Sequence, residues 1–487
     1  MDVIVVGAGA VGLTLAGRLA QHGATVAVFE ADRQRDRIGS KAICMQRETL
    51  EIWQRLGIGE RVAQRGIQWK VGRTYYRGRE LFHIELPTHE EHFPPFVNIS
   101  QSEVEELLEA RLGELDVPIH RGRRFAGVEQ DAHGTTATFE TDSGAVRHRS
   151  SYLVGADGAH SAVRHAIGIG FGGYTFDDRF LIADVRADLP MTNERHFHLD
   201  PPWNPGRQVL IHPQPDGVWR VDWQVPSDTD ADAERDNGGL DRRIRQVVGE
   251  STPYELVWMT AYRFSQRVAD AFRDRRVFLA GDAAHVMAPF GARGLNSGVA
   301  DAENLAWKLA AVIHGAPASL LESYDAERRP AALDNLAATD ATMRFMAPHG
   351  VIGRAWRNFV LRMARRSAWF RRHVNSGRLA EPASYAGAPS VTPGPDDGST
   401  PRHGTVAPDA RLPDGSRLRE HLGRGFVVLL PRPVPAPDLR AEPLVIGRDT
   451  AYGAERAWMI RPDGYIAGSA SLDDASGNDV DNPASGH

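Results

Sequence analysis

The sequence predicts an α/β protein whose parallel sheet is interrupted by a segment of antiparallel strands. Residues 3–6 and 25–29 are short apolar runs, and Val11, Leu15 and Leu19 recur between them with helical spacing. A strand–helix–strand unit of this length is typical of the start of a parallel sheet. Two later segments, 152–158 and 277–282, repeat the strand-to-turn pattern. Between them, residues 208–212 and 218–225 alternate apolar and polar side chains as antiparallel strands do.

Local signals along the chain define the individual elements. Residues 3–6 are an uninterrupted Val and Ile run, which indicates a strand covered on both faces. Gly23 can end the first helix and Gly315 stands just past a later one, because glycine tolerates the left-handed conformation at helix ends. Further helices are predicted at 49–56, 104–112, 296–313 and 354–373, a Pro-, Gly- and Ser-rich linker at 382–401, and a terminal strand at 426–430.

Composition narrows the class of protein. The 487 residues include 57 basic and 63 acidic side chains, and a net charge of −6 argues against nucleic acid or an anionic membrane as a partner. The single cysteine, Cys44, excludes internal disulfides and a thiolate zinc cluster, and it fits a reducing cytosol. No signal peptide is evident, and no apolar stretch approaches the roughly 20 residues that span a bilayer. A cytoplasmic protein is therefore expected.

The glycines of residues 7–12 are the clearest functional signal. Gly7 permits a tight turn, Gly9 lets the backbone approach a pyrophosphate, and Gly12 lets the helix pack closely on the strand. The start of that helix offers N–H groups and a positive dipole end to phosphates. Glu30 ends the second strand, where its carboxylate can accept hydrogen bonds from both ribose hydroxyls. A free acid there favours FAD or NAD over NADP in a Rossmann-like domain.

A second glycine-rich segment distinguishes FAD from NAD. Asp282 ends the strand that begins at Val277, where an acid can bind a ribityl hydroxyl, and residues 289–296 predict a flexible turn before a helix. Backbone N–H groups of that turn can face the flavin pyrimidine, and the helix dipole would stabilise negative charge on the reduced ring. For Asp282 alone, the alternative is a helix N-cap. The acid and the turn together predict FAD.

Three motifs resemble those of the class A flavoprotein monooxygenases, the FAD-dependent aromatic hydroxylases that include para-hydroxybenzoate and phenol hydroxylases. They occur in the family's order and spacing across most of residues 3–330: the glycine motif at 7–12, the Asp-Gly motif at 155–164 and the Gly-Asp motif at 281–282. Two positions depart from the family pattern. Lys41 stands where an arginine is usual and lacks its bidentate guanidinium. Arg293 stands in Gly-Ala-Arg-Gly, where many members have Gly-Gly-Gln-Gly, and either tunes charge beside the flavin or faces solvent.

The resemblance implies roles for individual residues. Asp157 is expected near the pyrophosphate, helping with both FAD and the nicotinamide cofactor, and Gln101 and Lys41 are expected to contact the FAD. Pro289 is expected to form a wall near the flavin and the substrate. No catalytic residue is assigned. The full predicted cofactor set is Gly7, Gly9, Ala10, Val11, Gly12, Glu30, Lys41, Gln101, Asp157, Asp282, Pro289, Gly294, Leu295 and Asn296.

The resemblance also implies the reaction. NADH or NADPH would reduce the flavin from a surface groove, and O2 would then give a C4a-hydroperoxyflavin that hydroxylates a phenolic substrate. The flavin carries this chemistry, while the protein positions the ring and excludes water. Two alternatives stay open: an FAD-dependent reductase or oxidase of a non-aromatic substrate on the same fold, and a non-catalytic, purely NAD-binding Rossmann protein. A monomer or homodimer is expected.

The resemblance and the composition together divide the chain into domains. The antiparallel segments should form a substrate-binding sheet that interrupts the FAD-binding domain, and a small terminal domain resembles thioredoxin without any cysteine for redox activity. The predicted bounds are 1–72, 98–176 and 265–345 for the FAD-binding domain, 73–97 and 177–264 for the substrate-binding sheet, 346–381 for a helical segment, 382–401 for the linker, 402–472 for the thioredoxin-like domain and 473–487 for a disordered tail.

Substrate contacts are less specified by the sequence. On the segment 218–225, Arg220, Asp222 and Gln224 share one strand face and apolar residues the other, and either face could meet the substrate. Arg220 is a candidate anchor for an acidic substrate, although a surface ion pair is the preferred interpretation. Metal-ligand spacing is not evident, so no metal is expected and five histidines are interpreted as exposed loop residues: His83, His89, His92, His196 and His198.

Overall fold

The computed structural model describes residues 1–35, 39, 42–86, 92–191, 193–346, 350–364, 367, 369–370, 374, 382–394, 401–432, 441–446 and 451–472. Some of the expectations above concern residues outside this set. The FAD contact of Lys41, the position of His89 and the tail at 473–487 lie wholly outside it, and the helix at 354–373, the helical segment at 346–381 and the linker at 382–401 lie partly outside it.

The described residues contain ten α-helices and 23 strands. The helices are α1 (Ala10–Gln21), α2 (Arg47–Leu56), α3 (Gly59–Arg65), α4 (Gln101–Glu114), α5 (Ala162–Ala166), α6 (Ala231–Asp236), α7 (Gly239–Val248), α8 (Arg293–Ile313), α9 (Glu322–Met346) and α10 (Gly350–Ala364). The strands are β1 (Val3–Val6), β2 (Val26–Phe29), β3 (Cys44–Gln46), β4 (Val71–Tyr76), β5 (Arg79–Glu85), β6 (Phe96–Asn98), β7 (Ile119–His120), β8 (Arg124–Gln130), β9 (Thr135–Thr141), β10 (Gly144–Ser150), β11 (Tyr152–Gly155), β12 (Phe171–Ala187), β13 (Glu194–Leu199), β14 (Gln208–Pro213), β15 (Val218–Val225), β16 (Tyr254–Ala269), β17 (Arg273–Asp274), β18 (Val277–Leu279), β19 (His285–Val286), β20 (Val427–Leu430), β21 (Glu442–Val445), β22 (Arg456–Ile460) and β23 (Ile466–Ser471). None of these helices is both long enough and apolar enough to cross a membrane.

The first sheet is mostly parallel, with the strand order β17-β18-β11-β1-β2-β7. β1 pairs in parallel with β2 and β11, and β11 pairs in parallel with β18, which confirms the N-terminal strand–helix–strand unit and both later strands. All four residues of β1 are buried, as its uninterrupted Val and Ile run indicates. Because β1, β11 and β18 run in the same direction, the turns that follow them lie at one edge of the sheet.

The second sheet has eight strands in the order β19-β16-β12-β15-β14-β13-β4-β5. The antiparallel pair of β14 and β15 confirms the two predicted alternating segments. One face of this sheet packs on α7, where Trp219, Val221 and Trp223 of β15 share a core with Leu240 and Ile244. The opposite face is therefore left to meet the rest of the protein.

Two smaller sheets are not predicted by the sequence analysis. β8, β9 and β10 form an antiparallel sheet, and β3 pairs with β6 so that Cys44 lies opposite Asn98. Much of β10 is solvent-exposed and rich in polar residues, and β3 and β6 are only three residues long. Apolar periodicity is a weak signal for such strands.

Four helices were predicted to begin later than they do. α8 begins at Arg293 rather than Asn296, because Ala292 adopts a left-handed conformation (φ 52°) that turns the chain just before it. α2 and α4 also begin before their predicted starts, since their first turns are polar and lack the apolar repeat. The helix predicted at 354–373 begins earlier, at Gly350, as α10; residues 365, 366, 368 and 371–373 of that prediction lie outside the described residues.

The C-terminal sheet has the order β21-β20-β22-β23 and combines parallel and antiparallel pairs. Leu429 and Trp458 belong to its apolar core. Charged side chains connect this sheet to the preceding helices. Arg461 donates hydrogen bonds to Glu327 of α9, and Glu327 also forms an ion pair with Lys308 of α8 at 2.9 Å. All three of these charged side chains are fully buried.

Candidate active site

The glycine motif after β1 leaves an open face at the start of α1. A Cβ atom added at Gly7, whose φ is +108°, would lie 2.4 Å from the carbonyl oxygen of Ala156, and one added at Gly12 would lie 2.1 Å from the carbonyl oxygen of Gly7. Gly9 differs, because its nearest neighbour in the same test is Glu105 Oε1 at 3.8 Å. Gly7 and Gly12 thus permit close packing, while Gly9 leaves room at a helix N-terminus for a phosphate. The residues present fit a dinucleotide such as FAD.

Glu30 lies against this motif. Its Oε2 accepts a hydrogen bond from the Ala8 N–H at 2.7 Å, and its Oε1 accepts one from the Asp32 N–H at 2.9 Å. The carboxylate is therefore held at the end of β2, beside the turn that follows β1. This is the position that the sequence analysis predicts for an acid facing the ribose.

Gln101 reaches the start of α1 through a residue that the sequence analysis did not single out. Glu105 Oε1 accepts hydrogen bonds from Gln101 Nε2 at 2.8 Å and from the Ala10 N–H at 3.2 Å. Burial raises the pKa of Glu105. The signal available in the sequence is the spacing, since residues four apart on α4 share a helix face.

Asp157 lies beside Gly7, but its carboxylate is engaged in its own turn. The Cα of Asp157 is 3.1 Å from the Cβ position on Gly7. Its two carboxylate oxygens accept hydrogen bonds from the Ser161 hydroxyl at 2.5 Å and the Val163 N–H at 3.1 Å. Ser161 in turn caps α5 by accepting from the Arg164 N–H, so its hydroxyl is part of the turn after Asp157.

Asp282 and the glycine motif are brought together by tight packing. Asp282 is exposed within a short 3-10 turn, Gly281–Ala283, whose N-cap position is Ala280, so the N-cap alternative for Asp282 is wrong. A Cβ atom on Gly281 would lie 3.0 Å from the Val11 side chain. The Asp282 turn and the start of α1 therefore share one cleft.

The 289–296 turn is fixed to β3 by the Asn296 side chain. Its Oδ1 accepts hydrogen bonds from the Gln46 N–H at 2.9 Å and the Thr49 hydroxyl at 2.6 Å. Its Nδ2 donates to the carbonyl oxygens of Cys44 at 3.0 Å and Ala292 at 2.5 Å. The side chain of Asn296 is thus structural, which leaves backbone N–H groups as the part of this turn that can face a ligand.

Other residues of this turn differ in exposure. Pro289 is exposed, Leu295 is half-buried, and a Cβ atom on Gly294 would meet nothing within 4 Å. Arg293 donates a hydrogen bond to Asn335 of α9 at 2.5 Å, so it is bound to protein rather than simply facing solvent.

Replacing Asn296 with leucine is expected to lower the free energy of unfolding by about 1–3 kcal/mol, because buried partners of the amide lose their hydrogen bonds. Thr49→Val removes only one of these bonds and should cost about 1 kcal/mol. Urea unfolding and the amount of FAD retained on gel filtration would test both variants. If the two substitutions lowered the free energy of unfolding equally, the additional hydrogen bonds assigned to Asn296 would not stabilise the turn.

The structure identifies which face of the second sheet meets the 289–296 turn. Phe180 of β12 shares a core with Ala288 and Phe290, and the rings of Phe180 and Phe290 are 5.9 Å apart. The β12–β15 register places Phe180 opposite Gln224, on the same face as Asp222. The polar face of β15 therefore faces the turn, and the apolar face packs on α7.

Arg220 forms a buried ion pair rather than the surface pair that the sequence analysis preferred. Only 1% of the residue is exposed, and its guanidinium binds Asp184 at 2.7 and 2.8 Å. Gln214 donates a further hydrogen bond to Asp184. The error arose because Asp184 lies on a strand 36 residues away in sequence. With its guanidinium engaged, Arg220 is poorly suited to anchoring an acidic substrate.

Beside this pair, three charged or polar side chains form what we term the polar cluster: Arg195, His212 and Asp222. All three lie deep within the protein but remain partly accessible to solvent. Burial lowers the pKa of Arg195. Burial also lowers the pKa of His212, and the nearby charges of Arg195 and Arg220 help to hold it well below its usual range. Burial raises the pKa of Asp222 to about 7. Polar residues alternating with apolar ones inside buried strands were the available sequence signal.

Several predicted loop histidines lie on strands. His83 is on β5, and His196 and His198 are on β13, where His196 is buried. Interpreting them as loop residues was wrong because β13 pairs in parallel with β4, a distant segment that no local pattern reveals. Among the described residues, no group of three or more His, Cys, Asp or Glu side chains is placed to hold a metal ion.

The fold and the site together define an FAD-binding flavoprotein. A family model described as "FAD binding domain" matches residues 1–339, more than half of the chain. The chain belongs to this family and is a flavin-dependent monooxygenase of the aromatic hydroxylase class, which confirms the resemblance and the FAD cofactor predicted from the motifs.

Curated relatives and a solved structure support this membership. The chain is 30% identical to a 3-(3-hydroxy-phenyl)propionate/3-hydroxycinnamic acid hydroxylase of Mycolicibacterium smegmatis, over 88% of this chain and 76% of the relative. It is 31% identical to a 12-dehydrotetracycline 5-monooxygenase/anhydrotetracycline 6-monooxygenase of Streptomyces rimosus, over 96% and 95%. Its fold is similar to that of the flavin-dependent monooxygenase PieE in complex with FAD and substrate, with a TM-score of 0.83, 24% identity and coverage of 98% and 96%.

Proposed function

We propose that this monooxygenase uses NADH or NADPH and O2 to hydroxylate a small phenolic substrate. The observation that carries the proposal is the polar cluster on the face of the second sheet that meets the 289–296 turn. The named substrates of the two relatives above, a hydroxyphenylpropionate and an anhydrotetracycline, support a phenolic ring as the target.

The described residues among the predicted FAD contacts support this proposal. The open face at Gly9 and the N–H groups at the start of α1 would receive the pyrophosphate, with Gln101 and Asp157 nearby. Glu30 would accept hydrogen bonds from the adenosine ribose, and Asp282 would bind the ribityl chain. The backbone of Gly294, Leu295 and Asn296, at the start of α8, would face the flavin pyrimidine, where the helix dipole favours negative charge.

The bound flavin supplies the activated oxygen, and the chain's residues prepare the substrate for it. The second sheet would form the floor of the substrate space, with Phe180 and Phe290 excluding water and Pro289 closing one side. Orientation of the ring by fixed side chains lowers the barrier by removing motional freedom before the reaction. The polar cluster would receive the substrate's hydroxyl group.

A screen of phenols tests this function directly. We expect some phenols to accelerate NADH or NADPH oxidation by the FAD-loaded protein, with one atom of isotopically labelled O2 appearing in the product. Peroxide should be measured in parallel, because uncoupled turnover consumes O2 without hydroxylation. An unlabelled product would instead favour the reductase or oxidase alternative, and a preparation that stays colourless with added FAD would contradict the cofactor.

The domain organisation remains part of the proposal. The two sheets support an FAD-binding domain interrupted by a substrate-binding one, close to the predicted bounds. The mixed C-terminal sheet supports a thioredoxin-like domain. Analytical ultracentrifugation would distinguish the monomer from the homodimer.

A further inference from the structure

The polar cluster has hydrogen-bonding capacity that the protein does not use. Asp222 Oδ1 and His212 Nδ1 are buried without a hydrogen-bond partner in the part of the chain that the structure describes. Within the same residues, Arg195 has no carboxylate at ion-pair distance, and Asp222, which raises its pKa, acts on it from further away. Buried polar groups normally have partners. The unused groups therefore indicate a polar ligand.

The cluster and the 289–296 turn lie on the same face of the second sheet. Burial raises the pKa of the Cys44 thiol and Arg195, which lies near it, lowers it; the Cys44 carbonyl oxygen accepts the hydrogen bond from Asn296 at the start of α8. Cys44 thus links the cluster to the turn. Asp222 faces the same side of the sheet as Phe180, which contacts Phe290. A small aromatic ring on this face would lie between the turn and the cluster.

The mixture of charges selects a hydroxyl group over a carboxylate. A substrate carboxylate would be attracted by Arg195 but repelled by Asp222. A phenolic hydroxyl can donate to Asp222 and accept from Arg195 at the same time. We infer that Asp222 accepts the proton of the substrate's phenolic hydroxyl and that Arg195 stabilises the resulting phenolate, an assignment that rests on the proposed function.

The proton transfer balances over the reaction. The phenolic O–H bond breaks, its electron pair stays on the oxygen, and the proton bonds to the Asp222 carboxylate. After oxygen transfer, the hydroxylated ring carbon loses its proton and regains aromaticity, and that proton would pass to the oxygen left at the flavin. Asp222 returns its own proton to the phenolic oxygen. The electron-rich phenolate is the form that attacks an electrophilic oxygen. The oxygen atom itself comes from O2 by way of the flavin.

The charged groups around Asp222 allow it to take up and release a proton near neutral pH. Burial raises the pKa of Asp222 to about 7, with Asp184 of β12 also raising it and Arg220 and Arg195 lowering it. His212 of β14 is neutral near that pH, because burial and both arginines hold its pKa low. As pH rises through 7, Asp222 loses its proton and becomes able to accept one. The value of kcat/KM should therefore rise with pH through this range.

Asp222→Asn tests the base in two ways, with the exposed Asp228→Asn as a matched control. We expect Asp222→Asn to lower kcat/KM at neutral pH by roughly 100-fold or more, and to remove the rise near pH 7. The loss should shrink for more acidic phenols, which ionise without a base. Asp228→Asn should behave like the wild type. A normal rate and pH profile in Asp222→Asn would overturn the assignment, even where labelled oxygen confirms hydroxylation.

Binding of 4-cyanophenol to the holoenzyme at about pH 7.5, without NADH or NADPH, gives a readout independent of turnover. The wild type should develop phenolate absorbance without releasing a proton to a pH indicator, because Asp222 takes up the phenol's proton. In Asp222→Asn, each phenolate that forms should release one proton to the solution. The phenolate absorbance of Arg195→Gln should be roughly tenfold smaller than that of the wild type. Equal proton release by wild type and Asp222→Asn, or unchanged absorbance in Arg195→Gln, would contradict the inference.

Discussion

Replacing Arg461 with methionine is expected to lower the free energy of unfolding by about 3–5 kcal/mol, because it leaves buried carboxylates without their partner. Arg461 is fully buried and donates to both oxygens of Glu327, at 2.9 Å each, and to Asp463. Lys308 alone would remain to balance them. Since these bonds join the segment just after β22 to α9, the C-terminal sheet should also become sensitive to limited proteolysis.

The exposed pair of Arg33 and Asp142 provides the control for this variant. Their side chains are 71% and 78% exposed, so Arg33→Met should cost at most about 1 kcal/mol. Urea unfolding monitored by tryptophan fluorescence would compare the two variants. Similar losses would show that burial does not govern the strength of the Arg461 network.

The same network predicts that the free energy of unfolding depends on pH. Burial alone would raise the pKa of Glu327, but Lys308 and Arg461 hold it well below its ordinary value of 4.5. The stabilisation is therefore fully present above pH 4.5 and is lost as the pH falls towards the lower, folded-state pKa. Arg461→Met should weaken this acid sensitivity along with the overall stability.

Gly12→Ala and Gly9→Ala are expected to separate folding from FAD binding. A Cβ atom on Gly12 would lie 2.1 Å from the carbonyl oxygen of Gly7, so α1 must move away from β1 at a cost of about 3 kcal/mol or more. Among the described residues, the nearest neighbour of a Cβ atom on Gly9 is Glu105 Oε1, at 3.8 Å. Gly9→Ala should therefore fold normally but bind FAD at least roughly tenfold more weakly, since the methyl group occupies the approach to the phosphates.

Thermal unfolding of the apoprotein and titration with FAD would measure these two properties separately. Gly12→Ala should have a lowered Tm or fail to accumulate as soluble protein. Gly9→Ala should keep the Tm of the wild-type apoprotein and require more FAD for saturation. Wild-type FAD affinity in Gly9→Ala would exclude the pyrophosphate from the start of α1.

The substrate side of the site was only partly predictable from sequence. Alternation placed Arg220 and Asp222 on one face of β15, because side chains of a strand point alternately to its two sides. The choice of face and the partner of Arg220 depended on β12, whose Asp184 is far away in sequence. Arg195 and His212 joined the same cluster only through pairing of β13 and β14 with their neighbours.

The sequence by itself determined the parallel sheet, the glycine motif with Glu30, and the FAD-dependent class, because each depends on contacts within short segments or on motifs of fixed spacing. Tertiary structure decided that Glu105 lies at the start of α1 and that Asn296 binds the 289–296 turn to β3. It also decided that, among the described residues, Asp222 Oδ1 has no hydrogen-bond partner while Arg220 pairs with Asp184. Strand register and helix packing set these contacts between distant segments. Burial then fixes the charge and pKa of each group, and no local pattern in the chain carries that information.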